Sequence, residues 1–131
     1  MLEAWEAPEG AGDPVGCLTT SFTFSPSFFE EDCLSRFLDL DSSPDEDGPV
    51  YLVEREEKMA QLSCAAALVD QNHCRGERSL RWDLICARPP KGIQHAKVSL
   101  LYWSSICRLI IGSANMSEDG YRRNLEVFGV L

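Results

Sequence analysis

From Ile93 to Leu131 the chain sets short apolar runs between clusters of polar side chains, a pattern that a β-sheet with functional groups at its strand ends satisfies. Leu109-Ile110-Ile111 is fully apolar and followed by turn formers, so it reads as a buried strand. Gly112-Ser113-Ala114-Asn115 then turns off its end, which places Asn115 at a strand terminus. Arg123-Asn124-Leu125-Glu126-Val127-Phe128 alternates polar and apolar, so Asn124 and Glu126 share one face of a further strand. In His95-Ala96-Lys97 the two polar residues are two apart, and on an extended strand both point the same way.

A histidine beside a lysine suits a phosphoryl group. The ammonium neutralises the non-bridging oxygens, and the imidazole attacks phosphorus. The Asn115 amide at a strand terminus can donate to a phosphate oxygen. A carboxylate on the far nitrogen of His95 would fix its tautomer and stabilise the imidazolium, and Glu126 is the expected carboxylate. Each piece alone has an ordinary explanation: a strand histidine, a turn after a strand, an exposed strand acid. Their order and the apolar strands between them carry the reading.

At these residues the chain resembles the phospholipase D superfamily of phosphodiesterases. Its signature is H-x-K, usually an Asp five residues after the Lys, then G-S-x-N, often with N-x-E beyond. The resemblance spans Ile93 to Leu131. It implies that His95 is the nucleophile forming a covalent phosphohistidine, and that Lys97 and Asn115, with Ser113, bind the phosphate. It further implies that Glu126 orients the histidine and that neither metal nor cofactor takes part. One position departs: Tyr102 stands where the Asp is expected, and no other acid lies between Lys97 and Glu118. The tyrosyl-DNA phosphodiesterase branch also lacks that Asp, and HAKVSLLYW…RLIIGSANMSEDGY is closest to its first motif. The implied substrate is DNA or a DNA–protein adduct. Two other readings use the same residues: a non-catalytic half that retains phosphate or nucleic-acid recognition, and a lipid phosphodiesterase, which Tyr102 and the lack of a membrane-seeking helix disfavour.

In the superfamily two halves face each other, so that two H-x-K motifs share one site. This chain has one. His73, the only other histidine, is followed two residues on by Arg75, without a G-S-x-N, and reads as a structural surface residue. The apolar ending Phe128-Gly129-Val130-Leu131 stops within a strand pattern. The expectation is therefore a single domain over residues 1–131 that pairs with a second phospholipase D-like half, in a longer chain or, alternatively, as a homodimer.

The 131-residue length allows one domain that buries roughly two-thirds of its unfolded surface. There is no run of eighteen apolar residues, and MLEAWEAPEG has neither a basic nor a hydrophobic leader region, so an intracellular protein with no membrane partner is expected. The net charge of −9 looks wrong for a partner of a polyanion, yet it is unevenly placed. Residues 1–57 carry −13 and residues 58–131 carry +4, with Arg75, Arg78, Arg81, Arg88 and Lys91 leading into the motif. Local field, rather than total charge, steers a phosphate. The six cysteines (Cys17, Cys33, Cys64, Cys74, Cys86 and Cys107) are irregularly spaced without C-x-x-C, and are expected to be buried reduced thiols. His73-Cys74 alone does not make a zinc site.

Upstream, Val15–Phe24 is rich in β-branched and aromatic residues and reads as a strand. Ser25-Pro26 opens an amphipathic helix with Phe28, Phe29, Cys33, Leu34, Phe37 and Leu38 on one face. Asp39–Pro49 is an acidic loop, Val50–Val53 a short strand, Glu56–Val69 an Ala-rich helix and Leu80–Ala87 a strand. The resulting order, β-α-β-α-β-β-β, predicts an α/β domain: a mixed sheet with flanking helices.

Overall fold

The computed structural model describes residues 1–43, 45–76 and 79–131. Six strands form one mixed sheet: β1 Pro14–Ser21, β2 Cys64–Asp70, β3 Asp83–Ala87, β4 Val98–Trp103, β5 Cys107–Gly112 and β6 Phe128–Val130. Their spatial order is β3-β2-β1-β4-β5-β6. The pairs β1/β2 and β2/β3 are parallel, whereas β1/β4, β4/β5 and β5/β6 are antiparallel. The chain thus has the expected α/β architecture with a mixed sheet.

Alternation along the strands selects the buried face. Cys17, Thr19 and Ser21 of β1 point inward beside Ser99, Leu101 and Trp103 of β4, and all six are buried. The opposite face leaves Leu18, Leu100, Tyr102 and Ile111 partly exposed. The first helix, residues 26–37, closes the inner face with Phe28, Phe29, Cys33, Leu34 and Phe37. Its amphipathic spacing, its Ser25 cap accepting from the Phe28 N–H and its Pro26 start match the sequence. The middle of this helix, Phe29–Leu34, is wound as a π-helix. Trp103 anchors the core: its ring lies 5.0 Å from Phe37, and its indole N–H donates to the Phe37 carbonyl at 3.3 Å.

Several sequence expectations are corrected. Val50–Val53 is not a strand but part of the second helix, Pro49–Ala60. Pro49 is pre-set for the first helical position, and Val50, Leu52 and Val53 remain exposed while Tyr51 turns inward. The expected helix over 56–69 stops at Ala60, and the alanine run becomes β2. That strand is central, paired on both edges and buried on both faces at Ala65, Ala66 and Ala67, so tertiary context overrides alanine's helix propensity. Small residues also let the backbones approach: a Cβ at Gly16 would lie 2.7 Å from the Cys64 carbonyl oxygen. The strand expected from Leu80 begins at Asp83, and the strand expected from Arg123 begins at Phe128, behind a helical turn at Asp119–Arg123. Two helices therefore follow β1, and five strands come after them.

The cysteine expectation also changes. Cys74 and Cys86 are joined by a disulfide. The loop after β2 folds back along β3 and brings their Cα atoms to 5.5 Å, within bridging range. Cys64 and Cys107 are exposed free thiols, whereas Cys17 and Cys33 are buried, and burial pushes the Cys17 thiol up to about 12.

The acidic loop is tied down where it is described. The Glu54 carboxylate accepts the backbone N–H groups of Asp41 at 2.9 Å and Ser42 at 3.0 Å, and pairs with Lys58 at 3.2 Å. The Ser42 hydroxyl also donates to it, and that bond first, with these contacts, lowers its pKa from 4.5 to about 2. A depressed carboxylate stabilises the fold above its ordinary value, and that contribution is lost as pH falls through the folded one. The hydrogen-exchange protection factors at Asp41 and Ser42, relative to the intrinsic rate at each pH, should fall as pH drops from 4.5 to about 2, and Glu54→Gln should flatten that dependence. Protection independent of pH across this window would contradict the assignment.

Candidate active site

The strand ends of β1, β4 and β5 converge at one edge of the sheet's inner face. The segment Gln94–Lys97 enters β4 in extended form, just ahead of the strand. Two anchors hold it. The Thr20 hydroxyl donates to the Ala96 carbonyl at 2.9 Å and accepts the Val98 N–H at 3.0 Å. The Asp70 carboxylate, 1% exposed at the end of β2, accepts the Gln94 N–H at 2.9 Å through one oxygen. Its other oxygen accepts the Asn72 backbone N–H and side-chain amide, both at 2.9 Å. The Asn72 N–H, first among these contacts, holds the Asp70 carboxyl below its ordinary range. The residue before His95 is therefore fixed to β2, and the residue after it to β1.

His95 and Lys97 lie on the same side, as their spacing predicts. The Lys97 ammonium stands 2.9 Å from His95 Nδ1 and donates to the His95 carbonyl at 2.8 Å. Burial lowers the Lys97 pKa, and the nearby Glu126 carboxylate opposes this. His95 is exposed, and its ring leans on Phe22 with centroids 4.8 Å apart.

Asn115 comes off the end of β5 against the end of β1. Its side-chain oxygen accepts the backbone N–H groups of Phe22 at 3.2 Å and Thr23 at 3.1 Å. Those donors fix which way the amide faces, leaving Nδ2 as the outward donor. Gly120 makes this approach sterically open: a Cβ there would lie 2.3 Å from the Asn115 carbonyl oxygen.

Glu126 and Ser113 sit differently from expectation. Ser113 donates its hydroxyl to one Glu126 oxygen, and Asn124 Nδ2 lies 3.5 Å from the other. Ser113 is also bonded through its backbone N–H to the Val127 carbonyl at 2.9 Å. Glu126 therefore braces the turn after β5 and contributes charge near Lys97, and it makes no hydrogen bond to His95. The expected carboxylate–imidazole contact is absent because Ser113 and Asn124 occupy the carboxylate. For the same reason the Ser113 hydroxyl is not a free donor. Tyr102 cannot substitute for the missing Asp: it faces the outer side of the sheet, 48% exposed.

Sequence reasoning missed Phe22, Thr20 and Asp70, and it reads His73 as a structural surface residue. The His73 ring packs with its centroid 4.3 Å from that of Phe22, the same phenyl ring that His95 touches. Asp70 was hidden because the segment before it reads as helix. The only local signal was its position where an apolar run meets a polar loop.

The hollow that Lys97 lines, with Thr19, Thr20, Ser99 and Ala114, admits only about 10 Å³. Among the described residues no three His, Cys, Asp or Glu side chains converge as a metal cage. Around the site Arg75, Arg88 and Lys91 are exposed, whereas Arg81 is engaged by Glu56 at 2.7 Å. Arg78 lies outside the described residues. Among the described residues no helix is long and apolar enough to cross a membrane.

No protein-family model and no curated protein sequence matches the chain. Solved structures do. Over 98% of its length the chain is similar to two mutant forms of yeast tyrosyl-DNA phosphodiesterase 1, with TM-scores of 0.60 and 0.61 at 9% and 11% identity. It is also similar to Nuc, a phospholipase D family member from Salmonella typhimurium, with a TM-score of 0.53 at 16% identity over 98% of its length. The chain spans 27% and 26% of the two yeast structures and 70% of the Salmonella one. Its fold is that of the phospholipase D family.

Proposed function

We propose that the chain is one half of a metal-independent phosphodiesterase of phospholipase D type, acting on DNA or a DNA–protein adduct. The observation that supports this most is the convergence of three groups of complementary chemistry at one sheet edge: the exposed His95 imidazole, the Lys97 ammonium beside it and the outward Asn115 amide. Phosphate oxygens draw Lys97 away from His95 Nδ1 and take up the Asn115 donor. The freed imidazole nitrogen attacks phosphorus, forming an N–P bond as the bond to the leaving oxygen breaks. A histidine from a second half protonates that oxygen. Water then attacks the phosphohistidine, releasing the phosphate monoester and restoring His95. Glu126 serves this reaction through the turn it braces and through its charge near Lys97, not through contact with the imidazole.

A non-catalytic phosphate-binding half is the second reading. The Lys97–His95 hydrogen bond, and the engagement of Glu126 by Ser113 rather than by the imidazole, favour it. Assaying an activated phosphodiester across a protein concentration series separates the two. An enzyme that needs a second half gives a trace rate as a monomer, a specific activity that rises with concentration if like halves pair, and no sensitivity to EDTA. Robust turnover by a proven monomer would contradict the paired-half reading, and chelator-sensitive turnover would contradict the metal-independent one.

A further inference from the structure

The Cys74–Cys86 disulfide ties a loop that serves the His95 region to the edge of the sheet. β3 is an end strand, and Cys86 lies on it beside Ala87, the partner of Asp70. Where the chain leaves β2, three residues act on the site. Asp70 holds the Gln94 N–H, Asn72 donates twice to the Asp70 carboxylate, and the His73 ring meets Phe22, on which His95 leans. Cys74 comes next.

The two ends of the bridged loop are held differently. At the β3 end Trp82 is buried in the core, its ring 5.0 Å from Phe29 and its indole N–H on Glu30 at 2.9 Å. The β2/β3 ladder continues that anchorage from Asp83 to Ala87. At the β2 end, Asn72, Arg75 and Gly76 are exposed, and the His73 and Arg75 N–H groups bond only to the nearby Asp70 and His73 carbonyls. Apart from the His73–Phe22 contact and Gly76 against Pro26, the disulfide ties residues 72–76 to the rest of the fold. Both of its cysteines are partly exposed, unlike the buried Cys17 and Cys33, which admits attack by a small thiol.

We propose that Cys74 and Cys86 form a thiol–disulfide switch on the His95 site. The bridged form holds His73 against Phe22 and so orders His95; the dithiol form releases residues 72–76 and loosens it. The inference rests on the phosphodiesterase reading and names a regulation of that same site. The reductant is a dithiol. Its thiolate attacks one sulfur, the S–S bond breaks, and the electron pair leaves on the other cysteine, which takes a proton. The second thiol of the reductant, deprotonated, attacks the mixed disulfide, frees the first cysteine to take a proton and closes its own disulfide. Two electrons and two protons thus reach the protein as the reductant is oxidised. Because Trp82 and the β2/β3 ladder hold the remainder, reduction loosens one arm without unfolding the domain.

The test follows the affinity of the full chain for a short labelled oligothymidylate, and the imidazole NMR signal of His95, before and after reduction with dithiothreitol. An aromatic contact contributes about 2- to 12-fold to an equilibrium, so the oxidised chain should bind more tightly by about that factor, and reoxidation should restore it. The His95 signal should move on reduction, and His73→Ala should produce the same move in the bridged chain. Cys74→Ser/Cys86→Ser should bind as the reduced chain does and ignore dithiothreitol, whereas Cys64→Ser/Cys107→Ser should respond as wild type. With the bridge shown by mass spectrometry to be open, an unchanged affinity or an unchanged His95 signal would overturn the proposal. So would a reduced chain that thermal melting shows to be unfolded, since the bridge would then be a structural staple. Binding in neither state would overturn the phosphate-binding reading instead, and the His95 signal, which needs no ligand, would still decide the switch.

Discussion

Lys97→Met should lower affinity for a single-stranded oligonucleotide by about 10- to 100-fold at low salt. A hydrogen bond to a charged group is worth about 1.5–3 kcal/mol, and a factor of ten corresponds to about 1.4 kcal/mol. Lys97 is the cation that faces His95 directly, and its desolvated position strengthens its field on an incoming phosphate. Methionine keeps most of the aliphatic stem's volume, so the melting temperature should change little. The salt dependence of binding should also become shallower by about one phosphate contact. Unchanged affinity with unchanged salt slope would show that phosphate binds elsewhere.

Asn115→Asp separates the donor from the acceptor at one position. The Asn115 oxygen satisfies two backbone N–H groups of residues 22 and 23, and a carboxylate oxygen can do the same. The outward Nδ2 is replaced by an anionic oxygen that repels phosphate. Affinity should fall at least as far as in Lys97→Met, with the fold intact, and should partly return as pH falls and the carboxyl protonates. Asn115→Ala, in contrast, leaves two N–H groups without their acceptor and should lower stability by about 1–3 kcal/mol. Equal stability of the Ala and Asp variants would contradict the bonding described at Phe22 and Thr23.

What the sequence made legible was local and strongly patterned. The β5 run Leu109-Ile110-Ile111 and the first helix declared themselves through apolar spacing and a Ser-Pro cap. The side on which His95 and Lys97 meet followed from a two-residue repeat in an extended chain. The errors fell where tertiary context decides. Ala65, Ala66 and Ala67 carry a helix-favouring composition, but their place between two parallel strands makes them β2. Val50, Leu52 and Val53 look like a strand until Pro49 starts a helix that leaves them in solvent. The disulfide between Cys74 and Cys86 depends on how the loop after β2 returns along β3, and no spacing rule contains that information.

The site divides in the same way. His95 and Lys97 lie just ahead of β4 and Asn115 just beyond β5, at the same end of neighbouring antiparallel strands, and that placement follows from local strand and turn patterns. Glu126 was assigned by an alternation that the chain does not follow, since a helical turn replaces the start of that strand and Ser113 takes up the carboxylate. Asp70, Thr20 and Phe22 come from β2 and β1, far from the motif in sequence. Only the pairing of β4 with β1, and of β1 with β2, brings them to the histidine. The anchoring role expected of a single carboxylate is instead spread over two hydrogen-bonded backbone positions and an aromatic contact.

The central claim is that His95 carries the phosphoryl group. Rapid quench of the protein with an activated phosphodiester, at a concentration where turnover is measurable, followed by peptide mapping, tests it most directly. The account predicts an acid-labile, base-stable phosphohistidine at His95, formed equally with or without EDTA and absent from His95→Ala. Turnover that proceeds undiminished in His95→Ala, or an adduct mapped to another residue, would contradict it.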